Sequence, residues 1–132
     1  MNRLEYIPGD LVSVYVGIKK YIVEVIGTEN ENEVLSYQIK FQNGEIQYAD
    51  KDNIVQIPLT LEILEKNGWK KDGKWYYLST KRAYLYTIQD TGKPDEFLIC
   101  AGEGKHNLTS VSFVHQLQHF LFGLNINSDL EV

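Results

Sequence analysis

From Leu35 to Phe41 the chain alternates apolar and polar residues without a break, the period-two signature of a half-buried strand. Asn43-Gly44 follows. Both residues tolerate positive φ, which predicts a type I′ hairpin turn, and the alternation resumes over Glu45–Ala49. Upstream, Leu11–Val16 reads as a strand entered through Pro8-Gly9-Asp10, and Tyr21–Ile26 as a second in which Glu24 is the charged interruption. Thr28–Glu33 is polar and acidic and predicts a solvated loop. Asn53–Ile57 closes the series. Five short strands in so little chain predict a small SH3-like β-barrel, or a bent antiparallel meander with the same local pattern.

The pattern changes at Pro58. Thr60 is a good helix N-cap, and Leu59 and Leu64 stand at the two positions of a hydrophobic staple. Gly68 fits the left-handed position after a helix end and lets Trp69 fold back on Leu64, so a short helix spans Thr60–Asn67. Trp69-Lys70-Lys71 and Trp75–Leu78 form a hairpin about Asp72-Gly73. Ala83–Ile88 and Glu96–Ala101 are further strands, with an exposed turn at Asp90–Asp95 between them. A last helix is predicted from about Val111 to Phe122: at about 100° per residue, Val111, Val114, Leu117, Leu121 and Leu124 share one arc, widened by Phe113 and Phe120. From Asn125 onward the chain is polar and is expected to fray. The expected fold is therefore α+β: a β unit over residues 1–57, then an α+β unit over 58–132 in which helices flank an antiparallel sheet.

With 43% hydrophobic and 23% charged residues, the chain is globular rather than disordered. The net charge of −5 argues against a basic face for duplex DNA. That charge is uneven: the first 58 residues carry −4, whereas Lys66–Arg82 holds six basic residues against Asp72 alone. One cysteine, Cys100, excludes an internal disulfide. The first ten residues hold no apolar run of signal-peptide length, and nothing approaches the roughly 20 apolar residues of a membrane span. The expectation is a cytoplasmic protein that does not enter a membrane.

No catalytic set emerges. His115 and His119 are four apart on a helix and can face one metal, which makes a metal-dependent enzyme one reading. Zinc peptidases place a glutamate after the first histidine. Gln116 stands here, and an amide cannot do a carboxylate's proton chemistry. Both histidines fall at the rim of the apolar arc, where ordinary hydrogen bonding is the simpler role, and no metal or other cofactor is expected. Cys100 lies in an apolar strand and reads as an inert core thiol. Gly102-Glu103-Gly104-Lys105 lacks the Ser/Thr that follows the lysine of a phosphate loop and reads as a polar turn.

The strongest surface signal interleaves Lys70, Lys71, Lys74, Lys81 and Arg82 with Trp69, Trp75, Tyr76, Tyr77, Tyr84 and Tyr86. Cations for phosphates and rings for bases are what holds single-stranded nucleic acid. Strand alternation sends one or two of Trp75, Tyr76 and Tyr77 into the core, and the lysines have the alternative reading of a solvated hairpin rim. The candidate binding residues are Trp69, Lys70, Lys71, Lys74, Trp75, Tyr77 and Arg82. Tyr15, Tyr21, Tyr37 and Tyr48 are candidates for an aromatic groove on the first unit.

Ile57-Pro58-Leu59-Thr60, then Ile63-Leu64-Glu65-Lys66-Asn67-Gly68-Trp69, then Val114-His115-Gln116-Leu117-Gln118 with Phe122 and Leu124, together resemble a family of small uncharacterised proteins encoded in phages and mobile elements of gut bacteria. Family members more often carry Asn at the position of His119 and Ala at that of Gly123. The resemblance implies a compact two-part fold in a bacterial or phage-infected cytoplasm. It supplies no catalytic residues. The expected function is that of a non-catalytic interaction protein with a protein partner, and nucleic-acid binding through residues 66–86 is the alternative.

Overall fold

The structure is a computed structural model describing residues 6–31, 34–81, 84–89, 95–102 and 104–132. The chain divides into two compact units, Met1–Ile57 and Pro58–Val132. The fold is α+β, with one five-stranded antiparallel sheet in each unit and two α-helices in the second.

In the first unit, β1 (Leu11–Val16), β2 (Lys19–Glu31), β3 (Val34–Lys40) and β4 (Ile46–Asp50) form a meander. A 3₁₀ turn (Lys51–Asn53) then leads into the two-residue β5 (Ile54–Val55), which returns to pair with β1. The order is β4-β3-β2-β1-β5. The two edge strands do not pair with each other, so the sheet is open rather than a closed barrel. Its core gathers Val12, Val14, Val23, Val25, Tyr37, Ile39 and Ile54, with the Tyr6 ring edge-on to Tyr37 at 5.3 Å. Asp10 is buried, and its carboxylate accepts from the Ile7 amide at 2.9 Å, closing the turn that enters β1.

Three expectations for this unit are corrected. Of the loop expected over Thr28–Glu33, residues 28–31 are strand: β2 runs on through them, with Thr28 opposite Tyr37 and Glu29 opposite Ser36, and residues 32 and 33 lie outside the described residues. Polar residues extend the strand because this end of the hairpin is exposed, and ladder hydrogen bonds need no apolar side chains. A bulge at Ile26, between the Val25 and Gly27 pairs, lets the strand bend along its 13 residues. At Asn43-Gly44 only the glycine takes positive φ (91°). Gly44 N–H donates to Phe41 O and Phe41 N–H to Glu45 O, so the loop is a type I turn closed by a glycine bulge. In β4 the alternation has the opposite phase, for Ile46 and Tyr48 face out and Ala49 is buried.

In the second unit, α1 (Leu61–Lys66) starts where the Thr60 hydroxyl accepts from the Ile63 amide at 3.2 Å. It ends in a Schellman turn: Gly68 has φ 90°, its N–H donates to Glu65 O, and Trp69 N–H donates to Leu64 O. Strands β6 (Lys70–Asp72), β7 (Trp75–Ser79), β8 (Tyr84–Gln89), β9 (Phe97–Ala101) and β10 (His106–Val111) form an uninterrupted meander, ordered β10-β9-β8-β7-β6. The expected turn at Asp90–Asp95 lies, up to Pro94, outside the described residues.

Strand β10 was not expected, because His106-Asn107-Leu108-Thr109-Ser110 is polar and mostly exposed at the sheet edge. Its presence moves the start of α2 (Val114–Gly123) from Val111 to Val114. Gln116 fixes that start, its side-chain oxygen accepting from the Ser112 and Phe113 amides at 2.8 and 3.2 Å. The helix closes in a second Schellman turn, with Asn125 at φ 59°, Asn125 N–H on Phe122 O and Ile126 N–H on Leu121 O. The expectation of a fraying end is also corrected. Asn67 clasps Glu131, donating to its carbonyl and accepting from its amide, each at 2.7 Å. Gln118 donates to Ser128 O at 3.3 Å.

Candidate functional site

Directly opposed residues in a ladder share a face, so register sorts the side chains of the second sheet. Tyr76 lies opposite Thr87, Leu78 opposite Leu85, and Thr87 opposite Ile99. This is the inner face. Tyr76, Leu85, Thr87, Phe97 and Ile99 are all buried. The Tyr76 hydroxyl donates to Glu65 of α1 at 2.9 Å, which raises its pKa because the charged acceptor favours the protonated phenol. Leu78 and Leu121 of α2 line one cleft of about 570 Å³ with Trp69, so both helices lie on this side.

The outer face carries the rings. Tyr77 lies opposite Tyr86, Ser79 opposite Tyr84, and strand alternation puts Trp75 beside them. The four rings are contiguous: Trp75–Tyr86 at 6.4 Å, Tyr77–Tyr86 at 6.2 Å and Tyr77–Tyr84 at 6.3 Å between centroids. The Lys105 ammonium sits 4.9 Å from the Tyr86 centroid and 5.5 Å from that of Trp75, within reach of cation–π attraction. Register sets Lys70 beside Tyr77 and Asp72 beside Trp75, and Lys74 stands in the two-residue turn with Gly73. Lys70, Lys74 and Lys105 are exposed. Among the described residues set beside them by register or turn, Asp72 brings the one carboxylate, so this cluster is locally positive on an acidic chain.

The sequence-predicted residues do not all meet. Lys70, Trp75 and Tyr77 come together on one face, with Lys74 in the turn next to Trp75. Trp69 does not: it is 3% exposed and cannot offer its ring to a ligand. Its ring is taken by the core because the Schellman turn folds it back over α1. Lys71 pairs with Tyr76, on the register of the opposite face. Arg82 lies outside the described residues. Lys105 was missed as a site residue. The turn holding it was expected, but its direction depends on the left-handed φ of Lys105 (51°) and on Gly102, whose N–H donates to Tyr84 O at 2.9 Å. Nothing in the local sequence signals that geometry.

The other candidates resolve as follows. Cys100 lies opposite Tyr86 but is 4% exposed. Burial pushes its thiol pKa up, with Lys105 opposing, which is the reverse of a thiolate nucleophile's environment. His115 is buried rather than at the rim, its ring stacked on Phe113 at 6.1 Å and edge-on to His119 at 5.6 Å. Among the described residues, no group of three or more His, Cys, Asp or Glu side chains could hold a metal ion. Of the four tyrosines expected in a groove on the first unit, Tyr37 is fully buried, while Tyr15, Tyr21 and Tyr48 are exposed. Among the described residues no helix is long and apolar enough to cross a membrane. Comparison with family models, with curated proteins and with solved structures finds no match to this chain.

Proposed function

We propose that the protein is a non-catalytic binding protein that holds single-stranded nucleic acid on the outer face of its second sheet. The observation that carries this reading is the contiguous row Trp75, Tyr77, Tyr86 and Tyr84 with the Lys105 ammonium over two of its rings. Bases stack on aromatic faces at about 1–3 kcal/mol each, whatever their identity, and ammonium groups beside the rings meet the phosphates. A protein partner for this face would be served by the rings but would not require three lysines around them.

The same proposal includes kinship with the small proteins of phages and mobile elements, and work in a bacterial cytoplasm. The residues behind that resemblance support the architecture rather than the site. Thr60 caps α1, Gly68 closes it, and Val114, Leu117 and Gln118 are the buried side of α2. For the first unit we propose an SH3-like arrangement, supported by the strand order and by the 3₁₀ turn that precedes β5.

The test is direct because the chain has only two tryptophans and one of them is buried. Titration with single-stranded oligonucleotides, DNA and RNA, at about 50 mM salt should quench the emission of Trp75, since stacking places a base on the indole. Trp75→Phe should remove the signal and Tyr86→Ala should weaken binding measured by anisotropy. No binding of either polymer at that salt would overturn the proposal.

A further inference from the structure

The first unit holds a second site. In the order β4-β3-β2-β1-β5, β1 stands three places from β4. Even so, a groove of about 270 Å³ is lined by Tyr15 and Val16 of β1 on one side and by Tyr48 and Asp50 of β4 on the other, with Ile39 and Phe41 also lining it. The sheet has therefore curled until two non-neighbouring strands face each other across a gap. Among the described residues, both sides of the gap are strand edges without a strand on them. β4 pairs with β3 alone, and β5 covers β1 only at Ser13 and Val14, leaving Tyr15 and Val16 beyond its reach.

An open strand edge is a template for another strand, and proteins that do not use one usually blunt it with charge, proline or a bulge. β4 reads Ile46-Gln47-Tyr48-Ala49-Asp50. It has no proline or lysine, its ladder with β3 shows no register shift, and two large apolar side chains point outward. Tyr48 is 59% exposed and Tyr15 47% exposed, so rings stand ready on both walls. Asp50 is the one charged residue among the described residues that line the groove.

We propose that this gap is a strand-addition site for an extended peptide segment carrying a lysine or arginine. The peptide backbone pairs with the free edge of β4, alternate side chains pack between Tyr15 and Tyr48, and the cation meets Asp50 at the groove's end. Main-chain pairing supplies affinity, and the rings and the carboxylate supply selectivity, as in other cases of strand addition. This groove belongs to the first unit and the aromatic face to the second, and each stands or falls by its own test.

Selection of a random peptide library against the full-length protein tests the proposal. Enriched sequences should share a basic residue at a fixed position in an alternating, proline-free stretch. The selected peptide should protect from hydrogen exchange those backbone amides of Ile46–Asp50 that do not donate to β3. Asp50→Asn and Tyr48→Ala should each weaken it about tenfold or more, and Trp75→Phe should leave it unchanged. Asp50 and Tyr48 are exposed, so both variants keep the fold. A proline-rich consensus without amide protection, binding indifferent to Asp50→Asn, or no enrichment at all would overturn it.

Discussion

Tyr76 shows how a single side chain ties chemistry to stability. Its ring is buried in the inner face of the second sheet, and its hydroxyl donates to Glu65 of α1. The bond raises the phenol pKa above its ordinary value of about 10. Between the unfolded and folded values the unfolded chain binds fewer protons than the folded one. The stability this bond contributes is therefore fully present below about pH 10 and is lost as pH rises through the folded value. Tyr76→Phe should flatten that alkaline decline, read as the urea midpoint between about pH 9 and 11. Periodicity along β7 was enough to say that part of Trp75-Tyr76-Tyr77 is core. Which part depends on the sheet's register against β6 and β8, and no local pattern carries that.

The helices were the most legible elements and the edges of the sheets the least. Thr60 and Gly68 mark both ends of α1 chemically, because orphan amides and carbonyls at a helix end demand partners that few residue types supply. The second helix end was harder to read, since Asn125 does what a glycine more often does. The chain after it is tethered by Asn67. That side chain donates to Ile63 O and Glu131 O and accepts from Glu131 N, so it joins the end of α1 to the final residues. Asn67→Ala removes all three bonds. It should cost about 1–3 kcal/mol in urea unfolding and speed amide exchange at Glu131, since the groups released are largely open to water. Strand β10 escaped notice for the complementary reason: its two apolar residues, Leu108 and Val111, stand three apart, so this edge strand has no period-two pattern to detect.

At the scale of the molecule, charge sets the kind of nucleic-acid binding available. A net charge of −5 repels a polyanion at long range, so attraction is short-range, and among the described residues Lys70 and Lys105 beside the rings and Lys74 in the adjoining turn supply it. Three neutralised phosphates on a single strand correspond to a slope of log affinity against log salt of about −2. The measured slope should lie near that value and should fall towards zero when the three lysines are changed together to glutamine. Duplex DNA should compete poorly, because its bases are already stacked on one another and hidden from the rings. A steep slope, or duplex bound as well as single strand, would point to a different surface.

The order of strands along the chain, both ends of α1, the buried side of α2, the α+β class and the basic-aromatic segment all follow from side chains a few residues apart. Their governing forces, helix periodicity, strand alternation and cap hydrogen bonds, act over that range. Tertiary structure alone decided which rings share a face, that Trp69 leaves the site while Lys105 enters it, that an acidic stretch is strand, and that β1 and β4 face each other across a gap. Those outcomes depend on pairings between residues far apart in sequence. Register and curl are properties of the sheet, and a strand read by itself does not contain its neighbours.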